Sequence, residues 1–172
     1  MLMSSKAKFR IKMILYGLVL VVAELLQTSV FGTLNLGVVA CVMPVAVACI
    51  SICEGPQRGC IFGLIGGCLW AWSTQLSFYG AWCIMILTVV GIAAGLITER
   101  FLLQGVKTAL SVSAGALLLT DGLYTLSGIF TGILPFRALF TVFVPGALIA
   151  LVLCLGIYFL TARISQIGGF HG

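Results

Sequence analysis

Glu24 and Asp121 stand inside long apolar runs of the chain. An ionisable side chain in such a run costs about 2.5 kcal/mol or more at the centre of a bilayer, unless it faces protein or water. One helical turn on from Glu24 come Gln27 and Thr28, and one turn on from Asp121 come Tyr124 and Thr125. Each acid therefore begins a polar stripe. Three kinds of chemistry fit the pattern. The acids could hydrogen-bond between helices; they could line a polar pocket with Arg137 above it as counter-ion; or they could pass protons. The relay is the poorest fit, because no further acid, lysine or histidine continues a path across the apolar runs.

Other reactive groupings are missing from the sequence. The seven cysteines, Cys41, Cys49, Cys53, Cys60, Cys68, Cys83 and Cys154, fall within or at the edges of apolar segments and form no CxxC pair. The single histidine, His171, stands near the C-terminal end of the sequence. Metal sites need thiolates and imidazoles at short spacing, so no metal is expected and the cysteines read as small buried packing residues. Gly63-Leu64-Ile65-Gly66-Gly67 is glycine-rich but lies in the middle of an apolar run, which is no place for a phosphate-cradling loop. With no nucleophile–base pair, the expectation is a protein that is not an enzyme and carries no cofactor.

The elements that must position these acids follow from composition. Of 172 residues, 62 % are hydrophobic and only 8 % charged, and the mean hydropathy is +1.26. Soluble domains have about 25 % charged residues. The sequence predicts an all-α, polytopic membrane protein. Its six apolar stretches are 13–31, 36–53, 59–76, 79–98, 108–130 and 138–162. Each is long enough to cross a hydrocarbon core of about 30 Å. At about 1.5 Å per residue, Glu24 and Asp121 then lie at similar depth, about 10 and 13 Å below the outer ends of spans one and five.

Orientation follows from the cations. If the N-terminus is inside, Lys6, Lys8, Arg10, Lys12, Arg58, Arg100, Lys107 and Arg163 are all inside, and Arg137 alone is outside. This eight-to-one split predicts both termini in the cytoplasm. The aromatic group Trp70, Trp72, Phe78, Tyr79 and Trp82 falls at one outer turn, as an interfacial belt should. The basic residues before span one are expected to attract anionic lipids. The net charge of +5 comes with no folded basic face for nucleic acid.

Small residues mark where helices approach closely. Gly55, Gly59, Gly63, Gly67 and Ala71 recur every four residues, Gly91 and Gly95 repeat the spacing in span four, and Gly146 and Ala150 repeat it in span six. Two readings share this pattern: packing within the bundle, and a groove that receives a partner's helix. The partner-binding expectation rests on Gly55, Gly59, Gly63, Gly67, Gly91 and Gly95.

Over nearly its whole length the chain resembles the MreD family of bacterial rod shape-determining membrane proteins. Span one ends Glu24-Leu25-Leu26-Gln27-Thr28-Ser29-Val30-Phe31, close to that family's apolar–Gln–small–apolar ending. The run from Glu54-Gly55-Pro56-Gln57-Arg58-Gly59 to Gly66-Gly67 matches its glycine-rich pattern. Phe78-Tyr79-Gly80, Gly91-x-x-x-Gly95 with Glu99-Arg100, Asp121 with Tyr124, and Val144-Pro145 resemble the features that bound its later spans. One position departs: many members carry an Asp shortly after the third-span glycines, where this chain reads Cys68-Leu69-Trp70-Ala71-Trp72.

The resemblance implies a non-enzymatic scaffold in the cytoplasmic (inner) membrane of a bacterium. It would bind the single-span protein MreC and help link actin-like MreB filaments to a peptidoglycan polymerase and transpeptidase pair. It also implies a fold like that of the substrate-binding S components of energy-coupling-factor vitamin transporters. Such a component is the alternative reading, in which Glu24, Gln27, Asp121, Tyr124 and Arg137 line an outward-facing ligand pocket.

Overall fold

Pro44 fixes the start of the most buried helix in the molecule. It stands at the first turn, where its missing N–H has no intrahelical partner to lose. The computed structural model describes residues 5–31, 41–74, 77–101, 105–130, 132, 135–137 and 139–167, and there is no strand among them. Helix α1 spans Ser5–Leu25 and runs on into a π-helical turn, Leu26–Phe31. The helix that Pro44 opens is α2, Met43–Glu54, and α3 is Pro56–Thr74. Helix α4 spans Ser77–Phe101. Helix α5, Val106–Leu117, passes through a π-helical segment, Leu118–Gly122, into α6, Leu123–Phe130, without a break. Another π-helical turn, Leu139–Phe143, leads into α7, Val144–Ile167.

Six helical rods result among the described residues, and contacts give their directions. Lys12 of α1 meets Glu54 of α2, and Gln27 meets Val42, so α1 and α2 are antiparallel. Gly59 and Gly67 of α3 oppose Gly91 and Ile84 of α4, which makes that pair antiparallel too. Cys49 and Cys53 of α2 face Cys154 and Thr161 of α7, so these two run the same way. Tyr16 of α1 and Thr161 of α7 meet at the Glu54 end of the bundle. The early part of α1 and the late part of α7 therefore lie at the same end.

Helix α2 occupies the axis. All ten residues from Met43 to Ile52 are buried, and α2 supplies side chains to three apolar clusters. Val42, Met43, Val47 and Ile50 pack with Tyr16, Leu20, Phe62 and Leu87. Val45, Cys49 and Ile52 pack with Ala109, Leu117, Ala150 and Cys154. Ala48 packs with Val90, Ala94 and Ala116. Burying a large aliphatic side chain contributes about 1.5–3 kcal/mol, so this one helix organises much of the core. Two other helical stretches, Ala81–Arg100 and Val144–Gln166, are each long and apolar enough to cross a membrane.

The helices overlie the six apolar stretches, with four main differences, of which the first is that α1 begins at Ser5, eight residues before the expected Met13. The second stretch is expected from Leu36, but the helix starts at Met43, because Pro44 belongs in a first turn; residues 36–40 lie outside the described residues. The break expected over Glu54 to Arg58 shrinks to Gly55 alone. Its φ of 85° is open to glycine and strained for other residues, which lets α2 stop and α3 begin at once. Finally, α7 runs to Ile167, five residues past the expected end.

Candidate functional site

The glycine stripe is the first feature to locate, because it sets how close α3 and α4 come. A methyl group added at Gly59 would strike the Gly91 carbonyl oxygen, one at Gly63 the Leu87 carbonyl oxygen, and one at Gly67 would fall 2.5 Å from the Ile84 Cα. From the other side, a methyl group added at Gly91 would strike the Gly59 carbonyl oxygen, and one at Gly95 would fall 2.5 Å from the Pro56 Cα. These are backbone atoms, which cannot swing away. The expectation of a partner groove at Gly59, Gly63, Gly67, Gly91 and Gly95 is thus corrected: α4 of the same chain fills it, and the small residues serve close backbone packing inside the bundle. Gly55 lies beyond the seam as the one-residue turn, facing the Glu99 carboxylate.

Glu54, read from the sequence as a loop residue, is the last residue of α2, and its side chain is only 1 % exposed. Lys12 Nζ lies 2.6 Å from its Oε1, Arg58 pairs with its Oε2, and the Tyr16 hydroxyl donates to Oε1 at 2.7 Å. Arg58 also stacks its guanidinium 5.3 Å above the centre of the Phe9 ring. Lys12 is therefore a buried partner of Glu54, which corrects its reading as one of four lipid-facing cations. The pairing joins α1 to the α2–α3 turn. The signal in the sequence was Glu54 four residues before Arg58, a helical ion-pair spacing. Lys12 and Tyr16 lie too far away in sequence to be assigned to it.

At the other end of α2, about 18 Å along its axis, the predicted polar residues converge. Gln27 Oε1 accepts the backbone N–H groups of Val42 (3.0 Å) and Met43 (3.2 Å), so a side chain from α1's π-helical turn caps the N-terminus of α2. Three or four N–H groups at such a terminus lack intrahelical partners. Here they are buried, and Gln27 supplies the acceptor. Glu24 is 9 % exposed and its Oε1 accepts the Ser73 hydroxyl of α3, whereas its buried Oε2 accepts no hydrogen bond among the described residues.

Asp121 lies half-buried in the π-helical segment after α5 and is hydrogen-bonded to the Cys41 thiol, just before α2. The bundle thus brings Glu24, Gln27 and Asp121 to one end of α2, and adds Ser73 and Cys41. No sequence pattern joins Ser73 or Cys41 to the acids; both come from folding. Of the predicted patch, Arg137 is not brought to them. Arg137 is exposed in a turn, and the ion pairs among the described residues are those of Glu54. The Tyr124 side chain lies outside the described residues, as do the side chains of Phe78 and Tyr79 from the expected aromatic belt. Trp72 and Trp82 of that belt are exposed, and Trp70 is partly buried.

Chemically the arrangement offers carboxylate, amide and hydroxyl oxygens around a buried helix terminus. Among the described residues no group of three or more His, Cys, Asp or Glu side chains stands ready to hold a metal ion. No family model, curated protein or solved structure matches the chain.

Proposed function

We propose that the chain is a six-span protein of the bacterial cytoplasmic membrane with both termini inside, acting as a non-enzymatic scaffold of the cell-elongation machinery, as its resemblance to MreD implies. The observation that supports a scaffold is the filled axis, in which ten consecutive residues of α2 are buried among neighbouring helices. A carrier alternates a path through its middle, and here that middle is a packed helix. With the glycine seam taken up internally, a partner's single span meets the chain on an outward apolar face. Ile11, Ile14, Leu18, Val21 and Leu25 of α1 are all exposed at alternating steps of three and four, the spacing at which paired helices interlock. The partner is an MreC-like single-span protein, through which MreB filaments and a peptidoglycan polymerase and transpeptidase pair are reached.

The alternative is a substrate-binding S component. It draws on a different observation, the convergence of Glu24, Gln27 and Asp121 around the start of α2. Native mass spectrometry of the chain gently extracted from its host membrane separates the two. A co-purifying single-span protein with a large outer domain is expected. A bound mass of a few hundred daltons, or a coupling subunit with ATPases, would replace the scaffold with the S component.

A further inference from the structure

The two ends of α2 handle a buried acid in opposite ways. Glu54 has two cations and a tyrosine hydroxyl. Glu24, 9 % exposed, has the Ser73 hydroxyl on one oxygen and nothing among the described residues on the other. A buried acceptor without a donor costs about 1–3 kcal/mol, and more when it is charged. Native structures rarely leave such an atom empty, and its partner is often an ion or an ordered water.

Charge narrows the choice. Asp121 reaches the same end of α2 through its hydrogen bond to the Cys41 thiol, one residue before the Val42 N–H that Gln27 holds. The cations Lys12 and Arg58 belong to Glu54 at the far end, and Arg137 is exposed in its turn. The N-terminus of α2 contributes roughly half a positive charge, and its first two N–H groups are already held by Gln27. With both carboxylates ionised the place carries about −1.5, and with one ionised about −0.5. One added positive charge brings either state to within about half a charge of neutrality. Two would overshoot the second.

Coordination points the same way. Calcium takes six to eight oxygens and magnesium a near-ideal octahedron, and no cluster of three acidic, thiol or imidazole ligands is present among the described residues. A monovalent cation is content with fewer formal charges and with neutral oxygens. The π-helical turns beside both acids, Leu26–Phe31 and Leu118–Gly122, interrupt the regular α-helical hydrogen-bond ladder there. Such segments recur at functional positions.

We propose that the start of α2 is a binding site for a small monovalent cation, held by the free oxygen of Glu24 and the carboxylate of Asp121. The cation completes the buried end of α2 as Lys12 and Arg58 complete the other. The site stands apart from the scaffold reading, since neither depends on the other.

The test is thermal unfolding of the full chain, purified in detergent and N-methyl-D-glucamine chloride. Sodium, potassium, ammonium or methylammonium chloride is then exchanged in at constant ionic strength. A ligand that binds the folded state raises Tm with its concentration, so at least one of these cations is expected to raise it saturably. Response to sodium or potassium identifies a metal ion, and response to ammonium or methylammonium alone identifies an amine headgroup. Glu24→Gln, which keeps the shape and loses the charge, is expected to weaken the response at least about tenfold, the loss of one contact to a charged oxygen. Asp121→Asn takes over that arm if Glu24→Gln does not fold. Equal Tm in all cations and in N-methyl-D-glucamine overturns the site, and so does a wild-type midpoint in the folded variants.

Discussion

Glu54 shows what a single buried charge can do when it is fully partnered. Its Oε1 takes both Lys12 and the Tyr16 hydroxyl, and its Oε2 takes Arg58. Withdrawing these ions from water is costly, and the pairing offsets that cost only while all partners are present. Glu54→Ala leaves Lys12 enclosed without a counter-charge and is expected to cost about 3–5 kcal/mol. Tyr16→Phe removes one neutral donor and should cost about 1–2 kcal/mol. Arg58→Ala should cost least, because its side chain is 37 % exposed and water takes over much of its solvation. The double change Lys12→Met with Glu54→Leu should recover much of the stability lost in Glu54→Ala, since apolar residues of similar volume replace a buried pair well. Thermal unfolding in detergent gives the order. A Glu54→Ala protein as stable as the wild type would remove Glu54 from its place as the link between α1 and the α2–α3 turn.

At the scale of elements, the α3–α4 seam makes the sharpest demand. Leucine at Gly63 or Gly67 would push a branched side chain into the backbone of α4. Overpacking a tight contact costs about 1–3 kcal/mol and sometimes more. Here backbone must move, so each variant is expected to lose at least about 3 kcal/mol and to give poor yields of monodisperse protein. Gly115→Ala is the control: nothing lies within 4 Å of its added methyl, and within α5 it should stabilise by about 0.5–1 kcal/mol. A Gly63→Leu protein with wild-type yield and Tm would show that the two helices do not approach at this seam. These elements were largely legible in the sequence. Apolar runs gave the helix positions, and four-residue glycine spacing gave the close contact. What spacing could not give was the neighbour, because a smooth face is the same whether α4 or a foreign helix covers it. The candidate site divides in the same way. Glu24, Gln27 and Asp121 stood out as polar residues in apolar runs. Tyr16 and Glu54 are 38 residues apart and Glu24 and Ser73 are 49 apart, Cys41 and Asp121 lie farther apart still, and no local pattern encodes such contacts.

For the whole molecule, the decisive question is how six rods sit against a bilayer. Tyr16 and Thr161 meet at the Glu54 end, which brings the early part of α1 and the late part of α7 together. Of the cations expected inside, Lys12, Arg58 and Arg163 belong to helix segments at or near that end. Arg137, the one cation expected outside, stands in the turn between α6 and α7. The burial of Lys12 in an ion pair leaves this bias intact, because topology is set during insertion by cations flanking each apolar run rather than by their final pairing. A fluorescent protein fused after Gly172 in a bacterial host is therefore expected to fluoresce, as it does only in the cytoplasm. Alkaline phosphatase fused after Phe136 is expected to be active, as it is only outside. A dark C-terminal fusion together with an inactive Phe136 fusion would invert the molecule and put the Glu24 end inside. A dark C-terminal fusion together with an active Phe136 phosphatase would put both positions outside, so that α7 does not cross between them, and would end the six-span reading. The expected pair places the buried start of α2 toward the outer face and the Glu54 cluster toward the cytoplasm. A partner's single span lying along α1 would then run past both.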